Sequence, residues 1–142
     1  MSGKNTRSIL AVCLLSSLSL LHAMINPPPL RDIRELGKVI QNYSTSPDAT
    51  HYGLTLQVNP QKPIESLGQG KVIRLGTLRG HGRYVIVDHG GGWHLMYGHL
   101  SKVAVKPGQR LDEGDSIGQA QGKKLFFVVS YKGNPINPSK VW

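Results

Sequence analysis

Histidine is the residue type of this chain best suited to chemistry, because an imidazole can ligate a metal ion or transfer a proton near neutral pH. Five histidines follow the first fifty residues: His51, His81, His89, His94 and His99. A catalytic zinc site needs three protein donors of nitrogen, oxygen or sulfur type and leaves a fourth position for water. His81, His89 and His94 lie near predicted turns, and a metal site assembled from them is one interpretation that the sequence leaves open.

The elements that must position these histidines are predicted to be β-strands. After Tyr43 helical periodicity is absent, and short β-branched or apolar runs alternate with turn-forming clusters rich in glycine and proline. The sequence therefore predicts an all-β domain, built as an antiparallel sandwich or barrel-like sheet. The predicted strands cover residues 54–58, 71–75, 84–88, 93–97, 102–105, 116–120 and 125–131.

Residues 24–50 are predicted to be a lead-in that lies outside the core domain, which occupies residues 51–142. Pro27, Pro28 and Pro29 enforce an extended start. Apolar residues then recur every three or four positions across residues 30–43, which predicts one short amphipathic helix. This helix either packs on its own domain or lies over a groove, and the sequence does not separate the two.

Residues 1–23 have the layout of a secretory signal peptide. Lys4 and Arg7 precede an apolar run, and Ala23 is a small residue suited to the position before a cleavage site. An uncleaved membrane anchor is the alternative. The single cysteine, Cys13, lies inside the apolar run, so the cleaved chain would have no disulfide and its fold would depend on its core.

The net charge indicates a negatively charged partner without identifying it. The chain of 142 residues has a net charge of +9 and is expected to form one domain after the signal segment. Long-range attraction then favours an anionic partner. Nucleic acid is disfavoured, because the basic residues are scattered and no stacking aromatics alternate with them. An anionic cell-wall polymer and an acidic protein fit equally well.

A series of short motifs along the chain resembles one known family. In order, they are His51-Tyr52-Gly53-Leu54-Thr55, Gly82 to Gly90, Tyr97-Gly98-His99-Leu100, Gly114 to Gly118, Lys124-Leu125-Phe126-Phe127 and Asn137-Pro138. Each motif is weak alone, but their order and spacing together resemble the LytM domain of peptidase family M23. The resemblance covers residues 51–142 and implies the antiparallel β-sheet fold of that family.

The resemblance also implies which residues stand at the family's active site. Active members bind one zinc through a His, an Asp four residues later and the second His of a His-x-His motif. Here these positions are His51, Thr55 and Phe126, and the family's two catalytic histidines correspond to His99 and Lys124. Thr is a poor zinc ligand, Phe has no donor atom, and Lys would repel a cation. The resemblance therefore predicts no catalytic residue, no metal and no cofactor. It predicts instead a binding groove lined by His51, Thr55, His99, Lys124 and Phe126, in which His51 and His99 are vestiges of the active site.

A dismantled peptidase site predicts a binding function. The chain resembles the degenerate LytM factors EnvC and NlpD, which implies a periplasmic, non-catalytic protein that activates a peptidoglycan amidase in cell-wall remodelling and cell division. The alternative is a structural or scaffold subunit that binds peptidoglycan or an envelope-spanning machine. Residual zinc endopeptidase activity is a minor alternative. Nucleic acid is not an expected partner, and the membrane is one only if the signal segment remains uncleaved.

Overall fold

The computed structural model describes residues 26–142, so the predicted signal segment lies outside the described residues. Ten β-strands and two 3-10 turns, Ile33–Glu35 and Pro138–Lys140, make up this part of the chain. In chain order, the strands are β1 (Lys38–Gln41), β2 (Leu54–Gln57), β3 (Ile64–Glu65), β4 (Gly70–Leu78), β5 (Gly82–Gly90), β6 (Trp93–Val103), β7 (Arg110–Leu111), β8 (Ser116–Ala120), β9 (Lys124–Tyr131) and β10 (Asn134–Ile136). Across residues 26–142, no helix has the length and apolar character needed to span a membrane.

The strands form one antiparallel sheet with the order β1-β2-β9-β6-β5-β4-β7. β10 adds to β9, and β8 pairs with both β6 and β3. This arrangement confirms the prediction of an all-β antiparallel fold. The predicted strand 102–105 was wrong as a separate element, because its first half continues β6 and Val105 lies beyond the end of that strand.

Alternate residues of the central strands build the core. On β9 the side chains of Leu125, Phe127 and Val129 are fully buried, whereas those between them are half-buried on the other face. This follows from the two-residue repeat of a strand. Phe127 contacts Tyr97 of β6 edge to face, with ring centroids 5.3 Å apart. The Tyr97 hydroxyl accepts a hydrogen bond from the Leu67 amide at 3.1 Å, and burial raises the pKa of this phenol.

The predicted helix over residues 30–43 was wrong. One 3-10 turn at Ile33–Glu35 is capped by Asp32, whose side chain accepts a hydrogen bond from the Arg34 amide, and β1 begins at Lys38. A Cβ on Gly37 would lie 2.2 Å from the Gln57 carbonyl oxygen, so glycine permits the chain to approach β2 at this point. Of the apolar residues that suggested a helical stripe, Ile33 enters the core and Ile40 is exposed. The others, Leu30, Leu36 and Val39, are partly buried against the core.

The lead-in is also part of the packed domain, which corrects the prediction that it lies outside the core. Ile33 is 3% exposed and belongs to the main apolar cluster. The Arg31 guanidinium contacts the carboxylate of Glu35 in its own segment at 2.6 Å. It also contacts carboxylates of two other segments, Glu65 at 3.1 Å and Glu113 at 3.5 Å. The Arg31 amide also donates to the Leu67 carbonyl at 2.8 Å. The segment that precedes His51 is therefore fixed to the sheet by apolar, ionic and backbone contacts.

Replacing a buried residue of this segment should destabilise the whole domain. We expect Ile33→Ala to lower the free energy of unfolding by about 2–4 kcal/mol, because it removes buried methyl groups and leaves a cavity. Ile40→Ala is the matched control in the same segment: Ile40 is 47% exposed, so the change should be within about 0.5 kcal/mol. Urea unfolding of both variants measures the difference. Equal, small losses would contradict the inclusion of the lead-in in the core.

Candidate functional site

Strand register brings together the site residues that the sequence separates most widely. Thr55 of β2 is the direct cross-strand partner of Phe126 of β9, and Phe126 is also the partner of Gly98 of β6. His51 lies just before β2, and His99 follows Gly98. On β2, Leu54 and Leu56 are buried while Thr55 is half-buried, so Thr55 faces away from the core. The structure thus brings His51, Thr55 and Phe126 onto one face of the sheet.

His51 is held by two hydrogen bonds. Its Nδ1 lies 3.1 Å from the Asn42 carbonyl oxygen, and only a protonated nitrogen can donate to that oxygen. Nε2 therefore carries the lone pair and accepts from the Thr55 hydroxyl at 3.3 Å. The Gln41 Oε1 atom competes for the same hydroxyl proton at 3.5 Å, and the shorter contact is the one to His51. Donating one ring N–H to a carbonyl is how proteins orient metal-binding histidines, so His51 retains that arrangement while its Nε2 is occupied by a hydroxyl.

The Phe126 ring lies between two histidines. Its centroid is 5.4 Å from that of His51 in an edge-on arrangement and 5.1 Å from that of His81 in a nearly parallel stack. His81 lies in the hairpin between β4 and β5, where its amide donates to the Leu78 carbonyl at 2.9 Å. We call His51, Phe126 and His81 the aromatic cluster. From the sequence, His81 was only a possible ligand of an alternative metal site. The proximity of His81 to Phe126 depends on strand pairing, which no local motif reveals.

The His99 side chain is hydrogen-bonded to the backbone of β9. Its Nδ1 lies 2.9 Å from the Lys124 carbonyl oxygen and donates to it. The His99 backbone has φ of 62°, the left-handed region that costs a residue with a side chain about 1–3 kcal/mol. The Gln121 amide donates to the His99 carbonyl at 2.8 Å and helps to hold this conformation. Lys124 therefore contacts His99 through its main chain, and its side chain is exposed.

The face around the aromatic cluster has an apolar floor. A Cβ on Gly98 would lie 3.5 Å from the Met96 methyl and 3.6 Å from a Phe126 ring carbon, so both side chains flank the bare Gly98 backbone. Met96 is the direct partner of Val128 on one side and Ile86 on the other. These three side chains and that of Phe126 are half-buried. We call Ile86, Met96, Phe126 and Val128 the groove floor.

The structure does not bring His81, His89 and His94 together. His81 lies at one end of β5, whereas His89 and His94 lie near its other end. His89 is buried, donates from Nδ1 to the Gln69 carbonyl at 2.8 Å, and has its pKa lowered by that burial. Nε2 of His94 is 3.7 Å from an Asp88 carboxylate oxygen. Within residues 26–142, no three His, Cys, Asp or Glu side chains are close enough to hold a metal ion.

The donor set at the positions that the sequence resemblance assigns to zinc ligands does not fit a zinc ion. His51 offers one nitrogen, the Thr55 hydroxyl is hydrogen-bonded to that nitrogen, and Phe126 offers no donor. The Phe126 ring also packs against the His51 imidazole. Three protein donors are the minimum of a catalytic zinc site, and one is present here.

Comparison with known families agrees with the fold and with the motif order. The sequence pattern of Peptidase family M23 matches residues 49–138, which is more than half of the chain. The chain therefore belongs to peptidase family M23.

The relatives include both enzymes and an activator. The chain is 31% identical over 98 residues to the peptidoglycan DD-endopeptidase ShyA of Vibrio cholerae, which covers 65% of this chain and 23% of the relative. It is 27% identical over 92 residues to the murein hydrolase activator EnvC of Escherichia coli, a match that covers 61% of this chain and 22% of EnvC. It is 31% identical over 83 residues to the lipoprotein NlpD/LppB homolog of Pseudomonas aeruginosa, a match that covers 54% of this chain and 28% of the homolog. The chain thus spans about a quarter of the length of these relatives.

Solved structures share the fold. Csd3 of Helicobacter pylori superposes with a TM-score of 0.65 and 26% identity, covering 82% of this chain and 32% of Csd3. A zinc-containing peptidase of Vibrio cholerae superposes with a TM-score of 0.64 and 26% identity, covering 79% of this chain and 38% of the peptidase. These matches confirm the predicted M23-type antiparallel sheet.

The hydrogen bonds of the site predict which ring nitrogen of His51 and of His99 carries the proton in the neutral imidazole. Because His51 and His99 both donate from Nδ1 to a carbonyl, we expect both to carry their proton on Nδ1 and not on Nε2 at about pH 8.5, above the ordinary histidine pKa. Long-range proton–nitrogen NMR of the imidazole rings distinguishes the two forms, with the exposed His81 ring as internal reference. A proton on Nε2 of His51 would exclude the bond from Thr55.

Proposed function

We propose that this member of peptidase family M23 works without zinc, as a non-catalytic factor that binds and activates a periplasmic peptidoglycan amidase. The observation that supports the proposal is the contact of Phe126 with His51 and His81 at the position where the family pattern has a zinc ligand. Without a bound metal, no group at this site lowers the pKa of a water molecule towards neutrality. Hydrolysis would then lack its nucleophile, and the groove remains as a surface for binding.

The groove floor has the properties of a protein-binding surface. It combines an aromatic ring, a methionine and two aliphatic side chains that are half-buried without a covering layer within residues 26–142. Aromatic residues and methionine are enriched at protein interfaces, and a few well-packed contacts usually contribute most of the binding energy. Replacing a zinc-binding His by Phe therefore adds apolar contact area at the centre of the groove.

The relatives support either an enzyme or an activator, and the donor set favours the activator. ShyA is named an endopeptidase, whereas EnvC is named a murein hydrolase activator. A chain with Phe126 and Thr55 in place of two ligands is chemically closer to the second kind. The periplasm follows as the proposed location, because the substrate of an amidase is the cell wall and residues 1–23 resemble a signal peptide.

Amidase stimulation tests the proposal directly. We expect the wild-type chain to accelerate release of dye from labelled cell-wall sacculi by a periplasmic amidase from the same organism. Phe126→Ala should weaken this stimulation about 30-fold, because truncating a central aromatic contact costs roughly 2 kcal/mol of binding energy. Ile73→Ala, which truncates an exposed apolar residue of β4 outside the groove floor, is the matched control and should leave stimulation unchanged.

Absence of stimulation and of complex formation by the wild-type chain would exclude the activator role. Retention of the protein on sacculi in concentrated salt would then favour the scaffold role, because simple charge attraction is screened under those conditions.

Metal content tests the loss of the enzyme function separately. We expect the wild-type chain to hold no stoichiometric zinc, whereas the combined variant Thr55→Asp, Lys124→His and Phe126→His should hold about one zinc ion per chain, because it restores three donors and removes a competing cation. The single variant Phe126→His is the control, since it supplies two nitrogen donors only. Elemental analysis after dialysis measures the difference. About one zinc per wild-type chain would contradict the proposal.

A further inference from the structure

Over its second half, one side of β4 has no partner strand within residues 26–142. β7 pairs with β4 only at Gly70 and Lys71, and the turn before β7 exchanges two backbone hydrogen bonds with Val72. β4 then continues to Leu78, and β5 is the only described strand that pairs with this second half. We call residues 74–78 the open edge.

The backbone polar groups of the open edge alternate in direction. The Leu78 carbonyl accepts a hydrogen bond from the His81 amide at 2.9 Å across the hairpin, so the polar groups of Leu78 face β5. Because N–H and C=O groups of successive residues in an antiparallel strand point to opposite sides, those of Leu75 and Thr77 face outwards. A row of outward-facing amides and carbonyls is a template for another extended chain, which offers acceptors and donors at the same spacing.

Apolar surface flanks the open edge on both faces of the sheet. Leu75 is half-buried against the core on one face, and Leu78 is 37% exposed on the other. A Cβ on Gly76 would lie 2.5 Å from the Tyr84 ring, so this ring extends over the bare backbone of β4. An added strand would place alternate side chains beside Leu75 and beside the Tyr84 ring. Pairing would therefore bury apolar area as well as backbone groups.

The charge along the open edge is positive. Arg74 lies on the edge, and Arg79 and Arg83 lie in the hairpin that follows it. All three side chains are exposed, and in the described part of the chain none of them forms an ion pair. Residues 66–87 contain no Asp or Glu. Pairing of β4 with β4 of a second copy would bring like charges together, whereas a strand that carries Glu or Asp would neutralise them.

From these observations we propose that β4 accepts an extended acidic segment of a partner protein as an additional strand, with apolar side chains beside Leu75 and Glu or Asp beside Arg74. The open edge lies outside the groove floor, so the inference adds a second contact surface and goes beyond amidase activation. An anionic polymer without a peptide backbone would neutralise the arginines but would leave the outward-facing polar groups of Leu75 and Thr77 without partners. An acidic strand satisfies both.

Three synthetic peptides separate backbone pairing from charge. The first is a short labelled peptide in which Val alternates with Glu; the second has the same side chains with every backbone amide N-methylated; the third has Lys in place of Glu. We expect the full-length protein to bind the first peptide at least tenfold more tightly than either of the others, because the second has lost its amide donors and the third repels the arginines. Fluorescence anisotropy at about 0.15 M salt measures the difference.

Variants of the protein locate the binding on the open edge. Thr77→Pro removes an outward-facing N–H and keeps the pairing with β5, because proline is tolerated on an edge strand where its nitrogen faces solvent. We expect it to weaken binding of the Val–Glu peptide at least tenfold. Thr77→Ala truncates the same side chain but keeps the N–H, so the loss should be less than twofold.

A charge reversal tests the electrostatic part. We expect Arg74→Glu to weaken binding of the Val–Glu peptide about fivefold. Lys140→Glu makes the same change of net charge at an exposed residue of the turn Pro138–Lys140, away from β4, and should change binding less than twofold. Unchanged thermal unfolding midpoints verify that the variants fold.

Several results would overturn the inference. Equal binding of the N-methylated peptide, or equal weakening by Thr77→Pro and Thr77→Ala, would exclude strand addition at the open edge. Loss of peptide binding in Phe126→Ala would assign the peptide to the groove. Concentration-dependent dimers that Thr77→Pro abolishes, seen by sedimentation velocity, would make a second copy the occupant of the edge in place of a partner segment.

Discussion

The register of β9 against its two neighbours is the constraint on which the rest of the structure depends. Side chains of a strand alternate between two faces, so burying Phe127 under the sheet necessarily presents Phe126 on the opposite face. A slip by one residue would bury Phe126, expose Phe127 and break its edge-to-face contact with Tyr97. The free energy of the core therefore fixes the position of Phe126 in the groove. The site needs no separate device to hold that ring in place.

The position of His51 and Thr55 also depends on the lead-in. β1 pairs with β2 and brings Gln41 and Asn42 to the side chains of Thr55 and His51. Ile33 and the carboxylate contacts of Arg31 hold the start of this strand against the domain. The wall of the site next to His51 is thus built from residues before the family motifs begin. Loosening the lead-in would release the hydrogen bond from His51 to the Asn42 carbonyl.

The sequence predicts most strands and the family. Its prediction is wrong where one pattern of apolar residues fits both a helix and a turn followed by a strand. β8 and β9 were predicted nearly to the residue, because strand alternation and flanking glycines agree there. The apolar residues over 30–43 have helical spacing, yet Gly37 and the β-branched pair Val39 and Ile40 favour a turn followed by a strand once β2 is available as a partner. Tertiary pairing overrode the local pattern.

The same limit explains which parts of the site were foreseen. The positions of Thr55 and Phe126 came from the resemblance to family M23, and strand register explains why they are neighbours. The stacking of His81 on Phe126 has no signal in the sequence, because it depends on a hairpin bending back over a strand more than forty residues later.

His51 and His99 stabilise the fold through hydrogen bonds that require no bound metal. His51 and His99 each donate an N–H to a backbone carbonyl, at 3.1 and 2.9 Å, and such a bond contributes about 1 kcal/mol to folding whether or not a metal is bound. His99 in addition fixes a left-handed bend where β6 contacts β9. The Phe126 side chain has no polar atom that could make such a bond, and its ring instead contacts the rings of His51 and His81. The two histidines thus stabilise the fold through polar contacts, whereas Phe126 contributes apolar surface to the groove.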